Sequence, residues 1–411
     1  MSNISDNFFN NAQVISGGVI PEHYDFEPKT YGCELKQTFK DIPHRDWIMN
    51  GLILKGYISA IFAPGGVGKS LFQLALAVSI ASNRDFLSLG LERRARVLLI
   101  NNEDDENEFL RRLAAIVNVH NIDISLLDGM LWQFSGYGKS FTVARMLGGQ
   151  VIREDVVDSL DTFISENEID VVLIDPFVST HNVNENDNNF MDKVIQEYKT
   201  IAHKHNVAIN MIHHTTKSSS ANGRMAGSAE SGRGASAIKD ALRAVVTLAP
   251  MLPSEVVSFE LLPEPYHKYI RLDSGKNNYA ANLGGPQWFI KHSVRIDNGE
   301  YSVCLRPVHL TKVDSEDRRR KWNPDKVAKT LELIFKSEGL PESLLWSKAS
   351  LPFCKMHDIS NNSATDHIKK LPSLRISQYH QVEVNGQLIG YRIAKDGPNN
   401  GWVIYRRIWE G

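Results

Sequence analysis

Short, nearly continuous apolar runs alternate along the first half of the chain with longer stretches of helical periodicity. The predicted strands are residues 57–62, 97–100, 171–174 and 208–212, and the predicted helices are residues 69–82, 106–117 and 190–205. Strands that are apolar on both faces are typical of a parallel sheet covered by helices on each side. The pattern therefore predicts an α/β fold built on a mostly parallel sheet.

The pattern changes after residue 217. Residues 218–234 consist mainly of Gly, Ser and Ala, which predicts a mobile loop because such side chains bury little apolar surface. Further strands are predicted at 243–248, 256–262, 269–272 and 287–290. Near the C-terminus, short helical segments precede a hairpin over 381–393, where Asn385-Gly386 is a strong turn signal. This order predicts a small winged-helix-like α+β module.

These shifts in pattern divide the chain into four parts. They are an amino-terminal arm (1–41), a large α/β domain (42–313), a polar linker (314–324) and the winged-helix-like C-terminal domain (325–411). The linker contains the basic run Arg318-Arg319-Arg320-Lys321. Such a run is either a solvated linker segment or a patch that contacts nucleic acid, and the sequence leaves both open.

Composition excludes several classes of protein. The 411 residues are 42% hydrophobic and 23% charged, which is enough apolar material for a large core, and the net charge is −2. The start of the chain has no basic and apolar leader, and the longest apolar stretch is too short for a bilayer span. Three widely spaced cysteines cannot form a disulfide framework. We expect a cytoplasmic protein that does not enter a membrane.

A phosphate-binding motif lies between the first predicted strand and the first helix. It runs Ala63, Pro64, Gly65, Gly66, Val67, Gly68, Lys69, Ser70 and Leu71. Small residues let backbone N–H groups surround phosphates at a helix N-terminus, where the helix dipole favours anions. Lys69 can reach the β- and γ-phosphates, and the Ser70 hydroxyl can ligate Mg²⁺. Ala63 replaces the usual first glycine. The motif predicts binding of ATP with Mg²⁺.

Polar residues follow the other predicted strands. Asp175 ends the third strand, where a carboxylate would meet the Mg²⁺ shell. Glu103 follows the second strand and is the predicted base for hydrolysis, although an acidic helix start would also explain it. His213 and His214 follow the fourth strand, where they either sense the γ-phosphate or cap the strand.

In their order along the chain, these motifs resemble those of RecA-like ATPases, and in particular the RepA-type hexameric helicases of plasmids. The similarity covers roughly residues 42–310. It rests on the segments Ile42-Pro43-His44-Arg45-Asp46-Trp47, Ala63 to Ser70, Asn102-Glu103-Asp104, His213 to Lys217, Arg233 to Ala237, Asp240 to Arg243 and Lys276 to Tyr279. The resemblance implies a RecA-like core in a hexameric ring, with ATP at subunit interfaces. It also implies that Arg243 enters the neighbour's site as an arginine finger, with Lys276 as a second cation. From the residues alone, Arg243 is equally compatible with a surface position on a strand.

Two functions of different class follow. The first is an ATP-dependent DNA helicase or translocase, in which Lys217, Arg224 and Arg233 of the Gly-rich loop grip single-stranded DNA electrostatically. The second is a regulatory ATPase that acts on a protein or duplex-DNA partner through its C-terminal module. A replication-initiation partner is compatible with the helicase reading. Small-molecule kinase chemistry is a more distant third reading, because no substrate lid is recognisable.

Overall fold

The structure is a computed structural model. It describes residues 39–139, 141–185, 187–215, 235–252, 255–256, 259, 266–279, 285–311, 324–357, 365, 380–384, 387–398 and 401–409. The chain divides into two compact units. The first comprises Met1–Ala249 with Ile270–Val308, and the second comprises Pro250–Tyr269 with His309–Gly411. The second unit thus includes residues 250–269, which the sequence analysis assigned to the large α/β domain.

The elements that precede residue 309 belong mainly to the first unit. The strands are β1 (Trp47–Met49), β2 (Ile53–Leu54), β3 (Ile58–Ala63), β4 (Val97–Asn101), β5 (Leu131–Ser135), β6 (Ala144–Leu147), β7 (Gln150–Arg153), β8 (Val171–Asp175), β9 (His181–Asn182), β10 (Ala208–His214), β11 (Ala244–Pro250), β12 (Tyr269–Asn277), β13 (Gln287–Arg295) and β14 (Tyr301–Val308). The helices are α1 (Lys69–Ser82), α2 (Glu106–His120), α3 (Val156–Glu166), α4 (Asn188–Lys204) and α5 (Ala235–Ala241).

A nine-stranded sheet organises this unit. Its strand order is β14-β13-β12-β11-β3-β10-β8-β4-β5. Consecutive strands from β11 to β5 are parallel, and β13 and β14 pair antiparallel at the other end. The prediction of an α/β fold with a mostly parallel sheet is therefore confirmed. Two small sheets, β1-β2 and β7-β6-β9, lie outside it.

The two faces of the sheet carry separate hydrophobic clusters. One contains α1 and α2 with alternate strand residues such as Val97 and Leu173, and the other contains α3 and α4 with Leu98 and Val172. Helix α1 is enclosed on all sides, because all its residues except Ser70 are buried. Gln73 of α1 donates through Nε2 to the Ile174 carbonyl at 3.1 Å, which ties the helix to β8. This bond holds the start of α1 close to the end of β8.

The predicted strand at 256–262 is wrong at its first residue, and most of the range lies outside the described residues. Val256, in the range 256–262, lies in a helical turn, with Phe259 N donating to Glu255 O at 3.0 Å. Glu255 Oε2 accepts a hydrogen bond from Leu252 N at 2.8 Å, which is one half of a capping box. That local bond favours helix over the strand that the apolar content suggests. The sequence analysis also missed β5, β14 and α3.

The larger elements of the second unit in its described part are two helices and a four-stranded sheet. These elements are α6 (Pro324–Ser337), β15 (Ser343–Leu345), α7 (Trp346–His357), β16 (His380–Val384), β17 (Gln387–Gly397) and β18 (Gly401–Trp409). The strand order is β15-β18-β17-β16. The predicted hairpin is confirmed, since Val384 pairs with Gln387 across β16 and β17. The winged-helix assignment stays a prediction.

A buried charge cluster holds this second unit together. Glu332 of α6 is only 3% exposed and accepts two hydrogen bonds from Arg406 of β18, at 2.8 and 3.0 Å. The Tyr391 hydroxyl of β17 also donates to Glu332. Because an unpaired buried charge is costly, these bonds fix the helix against two strands.

Three sequence predictions lie outside the described residues. They concern most of the amino-terminal arm, the Gly-rich loop at 218–234 and the linker at 314–324, of which only residue 324 is described. In the part of the chain that the structure describes, no helix has the length and apolar character needed to cross a membrane.

Candidate nucleotide-binding site

The phosphate-binding motif forms the turn between β3 and α1. Gly66 and Gly68 adopt positive φ angles of 76° and 109°, which only glycine tolerates at low cost. A Cβ atom on Gly68 would also lie 3.2 Å from Ile270 Cδ1 and 3.3 Å from Lys291 Cε. Glycine is therefore required at position 68 by both backbone conformation and space.

The residues of the motif divide into two groups. Ala63, Pro64, Val67 and Leu71 are buried, so their side chains anchor the loop in the core. Gly65 and Gly66 are exposed, and a Cβ atom on either would meet nothing within 4 Å. Open space beside these glycines fits a loop whose backbone wraps a ligand. The small Ala63 side chain fits the fully enclosed end of β3.

A cleft of about 470 Å³ opens in front of this loop. Its walls come from the loop and the start of α1, from the segment between β4 and α2, and from β13 and β14. The charged residues that line it are Lys69, Glu103, Asp104, Glu108, Arg111, Arg112 and Lys291. Loop, carboxylates and cations therefore share one cavity.

Asp175 lies beside this cleft at the end of β8, paired in register with Asn101 of β4. The residue is 1% exposed, and burial raises the pKa of its carboxyl to about 6. Neighbouring Glu103 and Asp104 add to the rise, while Ser70 and Lys69 partly offset it. Neither carboxylate oxygen of Asp175 has a hydrogen bond of normal geometry. The Ser70 hydroxyl therefore acts on the Asp175 carboxylate from nearby, without a well-formed hydrogen bond. An orphaned buried carboxylate beside a lysine and a hydroxyl fits a divalent cation.

The donors suit Mg²⁺ bound together with phosphate. Among the described residues, no group of three or more His, Cys, Asp or Glu could hold a metal ion by itself. Mg²⁺ is commonly held by one or two protein oxygens together with substrate phosphates and waters. Ser70 and Asp175 match that smaller set. Lys69 is 7% exposed and forms no ion pair with a described residue, so its ammonium is available for phosphate.

The structure distinguishes the two adjacent carboxylates after β4. Asp104 forms an ion pair with Arg112 at 2.6 Å, and Arg112 also contacts Glu108 at 2.8 Å. Within the described residues, the Glu103 carboxylate has no hydrogen bond or ion pair. Glu103 is therefore the carboxylate that remains able to accept a proton from water.

Asn101 positions this segment, and the sequence analysis missed it. Its Oδ1 accepts hydrogen bonds from Glu103 N at 2.8 Å and Asp104 N at 2.9 Å. Its Nδ2 donates to Asp104 Oδ2 at 3.0 Å. Asn side chains commonly cap the backbone two residues later, so an Asn at the end of a strand was the available signal.

The two histidines after the fourth strand lie on different faces of the sheet. His214 pairs in register with Ala63, beside the phosphate loop, and by strand alternation lies on the α1 face. His213 is 1% exposed on the opposite face, where its ring lies 5.1 Å from that of Phe62 and 6.1 Å from that of Phe177. His213 therefore lies on the opposite face of the sheet from His214, which favours a structural role for His213 over contact with the γ-phosphate.

Arg243 and Lys276 lie at the other edge of the sheet. Arg243 N donates to Ile58 O at 3.1 Å, so Arg243 stands beside the first residue of β3, whereas the phosphate loop follows the last. Lys276 Nζ donates to Lys239 O at 2.7 Å. Burial lowers the pKa of Lys276, and the charge of Arg243 contributes. The two cations are thus close together and cannot reach the loop of their own chain. Lys217, Arg224 and Arg233 lie outside the described residues.

The raised pKa of Asp175 predicts that this residue destabilises the ligand-free fold. Its folded pKa of about 6 exceeds the unfolded value of 3.8, so the cost is present above pH 6 and disappears as the pH falls toward about 4. Asp175→Asn should therefore raise the free energy of unfolding by roughly 3 kcal/mol at pH 7.5. Thermal denaturation in chelator, at pH 7.5 and pH 5, measures this gain and its decline. Equal or lower stability of the variant at pH 7.5 would contradict the assignment.

A comparison with known families agrees with this site. Residues 28–220 match the family model described as an AAA domain. The matched range is somewhat less than half of the chain. It contains the phosphate loop, Glu103, Asp175 and His214, and it ends before Arg243 and Lys276. An AAA-type P-loop domain binds ATP, normally with Mg²⁺, and the residues at the cleft fit both. Residues 28–220 are therefore similar to AAA-type P-loop ATPase domains.

Proposed function

We propose that this protein hydrolyses ATP at the interfaces of a homo-oligomeric ring, hexameric as in the RepA-type helicases, and that hydrolysis drives movement along single-stranded DNA. The observation that carries this proposal is the separation of two sets of residues. Lys69, Ser70, Asp175 and Glu103 meet at one edge of the sheet, whereas Arg243 and Lys276 lie together at the other. A second copy of the chain could bring the two sets together.

Each residue at the cleft has a distinct role in this proposal. Lys69 and the loop N–H groups bind the phosphates, and Ser70 and Asp175 hold Mg²⁺, which neutralises phosphate charge when bound. Glu103 orients the attacking water and accepts its proton, since its carboxylate is not used elsewhere. His214 lies beside the loop and is placed to respond to the γ-phosphate. His213 supports the sheet from the other face.

Arg243 acts from the neighbouring subunit in this proposal. A guanidinium that stabilises the transferring phosphoryl group makes hydrolysis depend on assembly. Arg243 is exposed, with its guanidinium carbon 6.0 Å from the centre of the Tyr279 aromatic ring, and it forms no ion pair with a described residue. Lys276 lies nearby as the second cation. Arg243 is thus presented on the surface, and Lys276 lies beside it partly buried.

DNA binding is proposed from the sequence of the central loop. Lys217, Arg224 and Arg233 follow directly from β10, whose end lies beside the phosphate loop. Loops from several subunits would form a ring of cations suited to one phosphate backbone. The alternative is a regulatory ATPase that acts on a protein or duplex-DNA partner through the C-terminal winged-helix-like module. A replication-initiation partner belongs to the first proposal.

Glu103→Gln tests the assignment of the base. We expect ATP affinity to stay close to that of the parent, while turnover falls by about 10² to 10⁴, because the amide cannot accept a proton. Glu106→Gln is the matched control, since Glu106 is an exposed acidic residue three positions later, at the start of α2. Steady-state ATPase assays and equilibrium nucleotide binding measure the two effects. Parental turnover in Glu103→Gln would place the base elsewhere.

Mixing two inactive variants tests the shared site. Lys69→Ala and Arg243→Ala should each be nearly inactive alone. In mixed rings, an Arg243→Ala subunit keeps its own Lys69 and receives Arg243 from a Lys69→Ala neighbour, so part of the ATPase activity should return. Light scattering and affinity co-purification verify that the two chains assemble together. No recovery in a co-assembled mixture would mean that Arg243 does not act between subunits.

Single-stranded DNA distinguishes the motor from the regulator. We expect it to stimulate ATPase turnover and to bind with an affinity that falls steeply with salt, by about 0.7 log units per phosphate contact for each log unit of salt. Replacing Lys217 and Arg224 together by Ala should flatten this slope and abolish stimulation while leaving basal turnover intact. Unchanged affinity and slope in the double variant would favour the regulatory alternative, with Arg318 to Lys321 as the DNA contact.

A further inference from the structure

The cations that line the nucleotide cleft differ in how far they are neutralised. Arg112 is paired with Asp104 and Glu108, and Arg111 forms an ion pair with Glu300 at 2.8 Å. Lys69 and Lys291 form no ion pair within the described part of the chain. Two of the four positive charges in the cleft therefore form no ion pair with a described residue, and one of them belongs to no recognised motif.

Lys291 reaches the phosphate loop from β13. Its Nζ lies 3.4 Å from the carbonyl oxygen of Gly66, and its Cε would be 3.3 Å from a Cβ atom at Gly68. The side chain thus runs along the two glycines that adopt positive φ angles. Strand β14, which pairs with β13, contributes Tyr301, Ser302 and Val303 to the same cleft. The antiparallel end of the sheet therefore delivers one ammonium group to the loop.

The partner that Lys291 has in the ligand-free chain is a weak one. A hydrogen bond of 3.4 Å is long for an ammonium donor, and a single carbonyl oxygen carries no net charge. Burial lowers the pKa of Lys291, and no carboxylate opposes that effect. An anion bound in the loop would supply the negative charge that Lys291 lacks as a partner. It would also accept hydrogen bonds from the remaining N–H donors of the Lys291 ammonium group.

We propose that Lys291 is a second phosphate-binding lysine of this site, supplied by the same chain, and that it contacts the phosphate groups that ADP and ATP share. This inference rests on the proposed nucleotide site. Because Lys291 approaches the loop within one subunit, its contribution does not depend on assembly, unlike that of Arg243. The same reasoning predicts an equal contribution to the binding of diphosphate and triphosphate.

The experiment measures the dissociation constants of ADP and of inorganic pyrophosphate by calorimetry for Lys291→Gln and Lys291→Arg. A lost charge-assisted contact should weaken both ligands about tenfold in Lys291→Gln. Lys291→Arg keeps the charge and should retain most of the affinity. Arg295→Gln is the matched control, because Arg295 lies on the same strand about 13 Å away, is exposed and bonds only the Gly299 carbonyl.

Three results would overturn the inference. The first is an unchanged affinity of Lys291→Gln for both ligands together with a lower melting temperature of the ligand-free protein. That result would mean that Lys291 stabilises the loop and does not bind phosphate. The second is a loss for ADP alone, with pyrophosphate binding intact, which places the contact on the nucleoside. The third is an equal loss in Lys291→Gln and Lys291→Arg, which shows that charge is not the cause.

The same titrations separate this inference from the proposed function. Parental protein that binds ADP, together with a Lys69→Ala variant that does not, supports the nucleotide site whatever Lys291 does. Parental protein that binds neither ADP nor pyrophosphate would overturn both the site and the role of Lys291.

Discussion

The parallel register of the central strands is the constraint on which the rest of the structure depends. Because β3, β4, β8 and β10 run in the same direction, their carboxyl ends meet at one edge of the sheet. That edge brings the phosphate loop, Asn101 and Asp175 together although they lie far apart in sequence. Gln73 reinforces the arrangement by tying α1 to the backbone of β8. Without this register, the same side chains would be scattered polar residues at the ends of apolar strands.

The site is organised at the expense of stability. Asp175 is a nearly fully buried carboxylate with no hydrogen bond of normal geometry among the described residues, and Lys69 is a buried lysine without an ion pair there. Buried groups of this kind oppose folding unless a counter-charge is bound. The surrounding hydrophobic clusters on both faces of the sheet offset that cost. A bound ligand would reduce this cost, because phosphate supplies negative charge to the lysines and a divalent cation supplies positive charge to the carboxylate.

The two edges of the sheet have opposite character. One contains a cleft with carboxylates, a phosphate loop and unpaired lysines, whereas the other presents Arg243 and Lys276 beside the aromatic ring of Tyr279. Neither of these two cations forms an ion pair with a described residue, and neither reaches the phosphate loop of its own chain. A ring of identical subunits would require this difference between the two edges, because each copy would offer a nucleotide site on one side and cations on the other. It also distinguishes Lys291, which serves its own loop, from Arg243.

What the sequence determined by itself is what depends on short-range chemistry. The phosphate loop can be recognised in the sequence because glycine spacing, Lys69 and Ser70 are all local requirements of one turn. The buried strands can be recognised because both of their faces are apolar.

Tertiary structure decided the rest, since each remaining choice depends on a distant partner. Arg112 neutralises Asp104 and so leaves Glu103 as the carboxylate without a partner. Strand alternation and the packing of Phe62 and Phe177 turn His213 away from the cleft. Lys291, 225 positions after Gly66, reaches the loop only because β13 folds back beside it. Contacts between residues so far apart in the chain leave no mark in local pattern, so they emerge only when the sheet is assembled.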